Sequence, residues 1–136
     1  MSYGAAAALQ KAVFAHLMSD VSVSSLLDGA IYDALPAGVL PETYAVLGSE
    51  DVRGRADSSG AIARHDFTIS VVSSAAGFAA AKTAAGAISD ALVGVEFSLE
   101  RGSLSDLTLM RTRATRLNGG TKRRIDLRFR AQIYDF

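Results

Sequence analysis

A chain of 136 residues with 49% apolar residues is long and apolar enough to fold as one packed domain, and neither figure fits a disordered chain. Fourteen basic and fourteen acidic residues cancel, which argues against a chain dedicated as a whole to binding nucleic acid. Cysteine is absent, so disulfides, thiol nucleophiles and Cys-ligated metals are excluded, as suits a reducing interior or a particle assembled inside a cell.

From the N-terminus, residues 4–19 read as a helix, with Leu9, Val13, His16 and Leu17 at helical spacing among alanines. Residues 1–20 do not read as a signal peptide, because no basic residue precedes the apolar stretch and Gln10 and Lys11 interrupt it. No run approaches the roughly 18–20 apolar residues of a membrane helix, so the expectation is a soluble protein, intracellular at synthesis and without a membrane partner. Residues 22–28 read as a short helical turn ending before Gly29. Residues 31–35 are extended and run into Pro36, and 36–42 form a turn-rich connector.

Residues 43–47 predict a strand, with Gly48 as a bulge or exit. Residues 49–60 are polar and read as an exposed loop. Residues 65–73 alternate, with Phe67, Ile69 and Val71 on one face and Asp66, Thr68 and Ser70 on the other. Residues 75–93 predict a second alanine-rich helix whose stripe is Phe78, Ala81, Ala85, Ile88 and Leu92, stopped by Gly94.

Two long strands follow, 104–117 and 121–134. In the first, Leu107 and Leu109 are expected on one face and Met110 and Ala114 on the other. In the second, Ile125, Leu127, Phe129, Ala131 and Ile133 point inward, and Arg124, Asp126, Arg128, Arg130 and Gln132 outward. Asn118-Gly119-Gly120 between them suits the positive φ angles of a hairpin turn. The order predicts one α+β domain over 1–136: a mostly antiparallel sheet with two helices packed on one face and a long C-terminal β-hairpin.

The neutral total hides a division. Residues 101–136 hold nine basic and three acidic groups, a net +6, and residues 1–100 hold five basic and eleven acidic, a net −6. The basic ribbon is the strongest constellation in the chain. Arg111 and Arg113 share a strand face with Arg116 beyond them, and Lys122, Arg123 and Arg124 cluster beside the turn at Asn118. Such a ribbon suits phosphate contact, docking to a carboxylate-rich protein surface, or a solvated strand face protected by charge. No aromatic residue is interleaved with its outward cations, which weighs against a stacking platform for single strands.

Signals for catalysis are missing. His16 and His65 lack metal-ligand spacing, and His65 and Asp66, adjacent in a strand, point to opposite faces. There is no Gly-x-Ser-x-Gly elbow, phosphate loop or dinucleotide fingerprint. Glu50, Asp51 and Asp57 surround Arg53 and Arg55, an arrangement that suits a solvated charged loop better than a divalent-cation site. The 49–60 loop, with Arg53 and Arg55, and the turn at 117–122 are the expected places of contact with partners. No catalytic residue, metal or cofactor is expected.

The residues also carry a resemblance. An N-terminal helix leads through Leu26-Leu27 to Ile31-Tyr32-Asp33 and Pro36, and Pro41 is followed by Tyr44-Ala45-Val46-Leu47-Gly48-Ser49-Glu50. The stretch from His65 to Ser73, then Gly77-Phe78-Ala79-Ala80-Ala81-Lys82, a helix ending in Ala91-Leu92, and Arg128-Phe129-Arg130-Ala131 complete the order. This order resembles the tail terminator, or tail completion, proteins of long-tailed phages and gene transfer agents, over nearly the full length. The resemblance implies a structural, non-enzymatic subunit of a hexameric ring at the neck of a particle assembled in the host cytoplasm. That ring stops growth of the tail tube and receives the head–tail connector, or stopper, protein. Its partners would be copies of itself, the tube protein and the connector, with double-stranded DNA only passing through the lumen. The alternative from the charge alone is a nucleic-acid-binding module that uses the basic hairpin.

Overall fold

The computed structural model describes residues 3–54, 62–96 and 98–135. Helix α1 (Ala6–Ser19) buries Ala6, Leu9, Val13 and Leu17, one side of an alanine-rich segment. It stops at Asp20, whose side chain accepts the Val23 amide at 3.0 Å and so caps the short helix α2 (Val21–Leu27). That helix ends at Asp28, which adopts the left-handed conformation at φ 49°. The seven residues of α2 form a complete short helix where the sequence suggested a single turn.

Strand β1 (Ile31–Tyr32) pairs in parallel with Ala45 and Val46 of β2 (Thr43–Gly54). Antiparallel pairings then join β2 to β3 (Ile62–Ser73), β3 to β5 (Lys122–Tyr134) and β5 to β4 (Ser103–Leu117). The sheet order is β1-β2-β3-β5-β4, so β3 and β5 are central and β4 is an edge. Helix α3 (Ala79–Leu92) crosses between β3 and β4 and buries Ala81, Ala84, Ala85, Ile88, Ala91 and Leu92. Its small residues let it lie close to the sheet. The α+β class, the mostly antiparallel sheet and the C-terminal hairpin all match the expectation.

The core lies between the helices and one sheet face. There Phe129, fully buried, stacks on Phe67 with ring centroids 5.4 Å apart, and Ile69, Val71, Ile125, Leu127 and Ile133 surround the pair. His16 lies at the boundary of this core, with Nε2 2.8 Å from the Ala91 carbonyl oxygen.

Two details depart from the sequence reading. Residues 49–54 are strand, not loop: Glu50 to Gly54 pair with Phe67 to Ala63 after a bulge between Leu47 and Glu50. Polar residues have little intrinsic preference for strand, and pairing with β3 overrides it. Gly48 sits at the bulge, where a Cβ would lie 3.1 Å from the Thr68 carbonyl oxygen. The second departure is in β4, where Leu109 pairs with Phe129 but Arg111 pairs with Arg128, leaving Met110 as a bulge. The extra residue reverses the alternation. Ala114 therefore lies opposite Ile125, on the same face as Leu107 and Leu109 rather than on the opposite one.

Candidate interaction interface

The sheet face away from the helices carries an ionic network. On β5, Arg130 donates from Nε to Asp66 Oδ1 at 2.8 Å and from Nη2 to Oδ2 at 3.2 Å, and Arg128 lies 3.6 Å from the same carboxylate. Asp66 is only 6% exposed, and the hydrogen bond from Arg130 holds its carboxyl below the usual range. Further along, Asp126 Oδ1 accepts Ser70 Oγ at 2.6 Å and Arg124 Nε at 2.8 Å. Burial pushes the Asp126 carboxyl up, but the Ser70 and Arg124 hydrogen bonds outweigh it and the net shift is down.

These pairings divide the ribbon. Of its nine basic groups, Arg101 pairs with Asp135, Arg124 with Asp126, and Arg128 and Arg130 with Asp66. The other five, Arg111, Arg113, Arg116, Lys122 and Arg123, form no close ion pair among the described residues, although Arg113 lies across the ladder from Asp126 and its charge helps to lower that carboxyl, and all five lie in the turn-proximal half of the β4–β5 hairpin.

Arg116 and Arg123 face each other across the ladder, an arrangement that is repulsive on its own. Phe78, at the foot of α3, relieves it. The Arg116 guanidinium lies 5.3 Å from the ring centroid, Arg123 6.0 Å and Lys82 5.6 Å, so three cations share one aromatic ring. Arg123 also donates to the Ala75 carbonyl oxygen at 3.1 Å, and its buried Nε has no partner among the described residues. At the turn, Asn118 (φ 51°), Gly119 (φ 66°) and Gly120 (φ 94°) all take the left-handed conformation that was expected there.

The predicted contact residues therefore fall into groups. Arg111 and Arg113 share the outer face of the exposed edge strand. Arg116 and Arg123 join Lys82 on Phe78, and Asn118 and Lys122 mark the tip. Arg124 is held by Asp126. Arg53 lies apart on β2, two strands from the hairpin, and pairs locally with Asp51 at 3.1 Å. Arg55 lies outside the described residues. Sequence reasoning missed Lys82, although its position one helical turn after Phe78 was a readable signal.

A second surface went unread: a groove of about 630 Å³ between the N-terminal half of α1 and β2, lined by Ala6, Ala7, Phe14 and Leu47 with Asp33 and Glu50 at its rim. The Tyr3 hydroxyl donates to Glu50 there. It can be seen only once α1 is laid beside β2. Among the described residues, no group of three or more His, Asp or Glu side chains could hold a metal ion, and no helix is long and apolar enough to cross a membrane.

The fold defines a class: a small α+β domain with a long C-terminal hairpin. The family model for tail completion protein gp17 matches residues 11–134, and the chain belongs to that family of structural phage-tail proteins. It is also similar to a chain in the structure titled "Virion of native gene transfer agent (GTA) particle", with 50% identity and a TM-score of 0.92 over 98% of this chain and 99% of that one. A search of curated proteins returned no match.

Proposed function

We propose that this protein forms a ring, a hexamer, that closes the head-proximal end of a tail tube and joins it to the head–tail connector. The observation that carries the proposal is the end-to-end likeness to a chain of a gene transfer agent virion, at 50% identity. On this reading the protein works at the neck of a virion or phage-like particle after assembly in the host cytoplasm. Its partners are its own copies, the tube protein and the connector.

The geometry supports the reading. A ring needs two different, complementary surfaces on each subunit, meeting head to tail. Here the cations of the distal hairpin lie toward one edge of the sheet, and Asp33 and Glu50 line a groove between α1 and β2 toward the other. The role needs no catalysis: assembly, not chemistry, is the task of these surfaces.

Mass measurement of the purified protein, free and bound to tail tubes, tests the proposal. A six-fold species on tubes is expected. A monomer in both states would overturn it.

A second reading draws on the five unpaired cations, which could meet phosphates. A conduit should hold DNA weakly, so the ring reading expects little binding at ~50 mM salt, where a set of 6–10 phosphate contacts would bind best. Tight binding with a steep salt slope would favour the nucleic-acid module instead.

A further inference from the structure

Met110 is the one large apolar side chain exposed on β4 or β5, at 47%, and it sits in the bulge that interrupts the edge strand. Arg111, which follows it, faces Arg128 across the ladder, and Arg113 faces Asp126, a carboxylate already bound by Arg124 and Ser70. A bulge with flanking cations can serve only to keep an edge from aggregating. The other edge of the same sheet gives this one a further use.

There, β1 covers only Ala45 and Val46 of β2, so from Leu47 onward β2 has no strand partner on that side among the described residues. Beside this open stretch lies the α1–β2 groove, with an apolar wall of Ala6, Ala7, Phe14 and Leu47 and a rim of Asp33 and Glu50. Lys11, the cation that also lines the groove, is engaged by Glu100 at 2.6 Å. The rim is therefore left acidic. One edge offers an apolar side chain followed by two exposed cations without a close ion pair among the described residues, and the other offers an apolar groove edged by carboxylates.

We infer that the edge at 110–113 of one copy seats in the α1–β2 groove of the next copy. Met110 enters the apolar groove, and Arg111 and Arg113 lie against Glu50 and Asp33. The symmetry of the charges selects this arrangement. A two-fold contact built on one edge alone would set arginines against arginines at β4, or carboxylates against carboxylates at the groove, and either is repulsive. The two patches lie toward opposite edges of the sheet, so pairing them calls for a head-to-tail contact, and such contacts close into a ring when the rotation from copy to copy allows it. The inference rests on the ring reading and adds to it the two surfaces that meet.

The absence of native cysteine makes a direct test possible. Met110→Cys and Ala7→Cys, both at exposed positions, are made as separate single variants of the full chain and oxidised on tail tubes and at high concentration in solution. A disulfide-linked dimer is expected when the two variants are mixed and not from either alone. Like-with-like dimers from Met110→Cys alone would overturn the inference in favour of a two-fold contact. A ring that forms without the mixed cross-link would overturn this contact and leave the ring reading standing. Failure of the wild-type chain to oligomerise under either condition would overturn both.

Charge reversal gives a second readout. Glu50→Arg or Arg111→Glu alone is expected to weaken self-association at least ~10-fold, and the two together to restore most of it. Equal loss in the double variant contradicts the pairing.

Discussion

His65 is fully buried in the core face of β3, between Val52 and Ala131 of the neighbouring strands, and neither ring nitrogen has a partner among the described residues. Burial lowers its pKa below the usual 6.5, against weaker opposing pulls from Glu50 and Asp66. The unfolded chain therefore binds this proton more readily than the folded one. Stability is complete above about pH 6.5 and is lost as the pH falls toward the lowered folded value. The melting temperature should drop between pH 7.5 and 5.5, and His65→Gln should flatten that drop. An unchanged slope in the variant would remove His65 as the cause. Asp66 and Asp126 act in a lower window. Their folded pKa values are depressed, so their contribution is present above about 3.8 and is lost only as the pH falls below it. Asp66→Ala should cost about 1–3 kcal/mol at neutral pH, because it strands Arg130 without its bidentate partner. Urea titration measures this, and a change below about 0.5 kcal/mol, the size of an ordinary surface substitution, would contradict the network.

At the scale of elements, the basic hairpin has two parts. Near its base, Arg128 and Arg130 tie β5 to β3 through Asp66. Toward its tip, Arg123 and Arg124 look alike in sequence to Arg111 and Arg113, but they serve the fold: Arg123 rests on Phe78 and the Ala75 carbonyl, and Arg124 binds Asp126 and Ser70. Reversing both to Glu should therefore destabilise the domain by roughly 1–3 kcal/mol. Arg111→Glu should stay within about 0.5 kcal/mol of wild type. Equal melting shifts in the two variants would contradict this division. Sequence alone cannot make it, because Asp66 and Ser70 lie more than fifty residues from the arginines they bind. The same limit applies to the strands. Periodicity made both long helices and β5 legible, since Leu9, Val13 and Leu17, or Ile125, Leu127 and Phe129, repeat at the spacing their element requires. It missed the second half of β2, where pairing with β3 holds polar residues in a strand. It also misplaced Ala114, because the bulge at Met110 leaves no mark in the alternation.

Over the whole molecule, part of the opposed charge is joined inside the fold, at Asp66 with Arg128 and Arg130, while the distal hairpin cations lie toward one edge of the sheet and Asp33 and Glu50 toward the other. Net neutrality keeps neither edge from meeting its complement on another copy, and the separation of the edges favours a chain of contacts over a closed pair. Self-association should weaken as salt rises from 0.05 to 0.5 M, since exposed charges are screened within about 10 Å at 0.1 M. Sedimentation across that range measures it, and association that strengthens with salt would point to an apolar contact without charge pairing. The groove that completes the scheme was not readable from the chain, because its walls come from α1 and β2 and its rim from residues 33 and 50. On the proposed reading this subunit ends a tail tube. The measurement that tests it most directly is the length distribution of tubes in particles from which the protein has been deleted. Tubes that overrun their normal length and fail to join heads are expected, with both defects reversed when the protein is supplied again. Tubes of normal length joined to heads in its absence would contradict it.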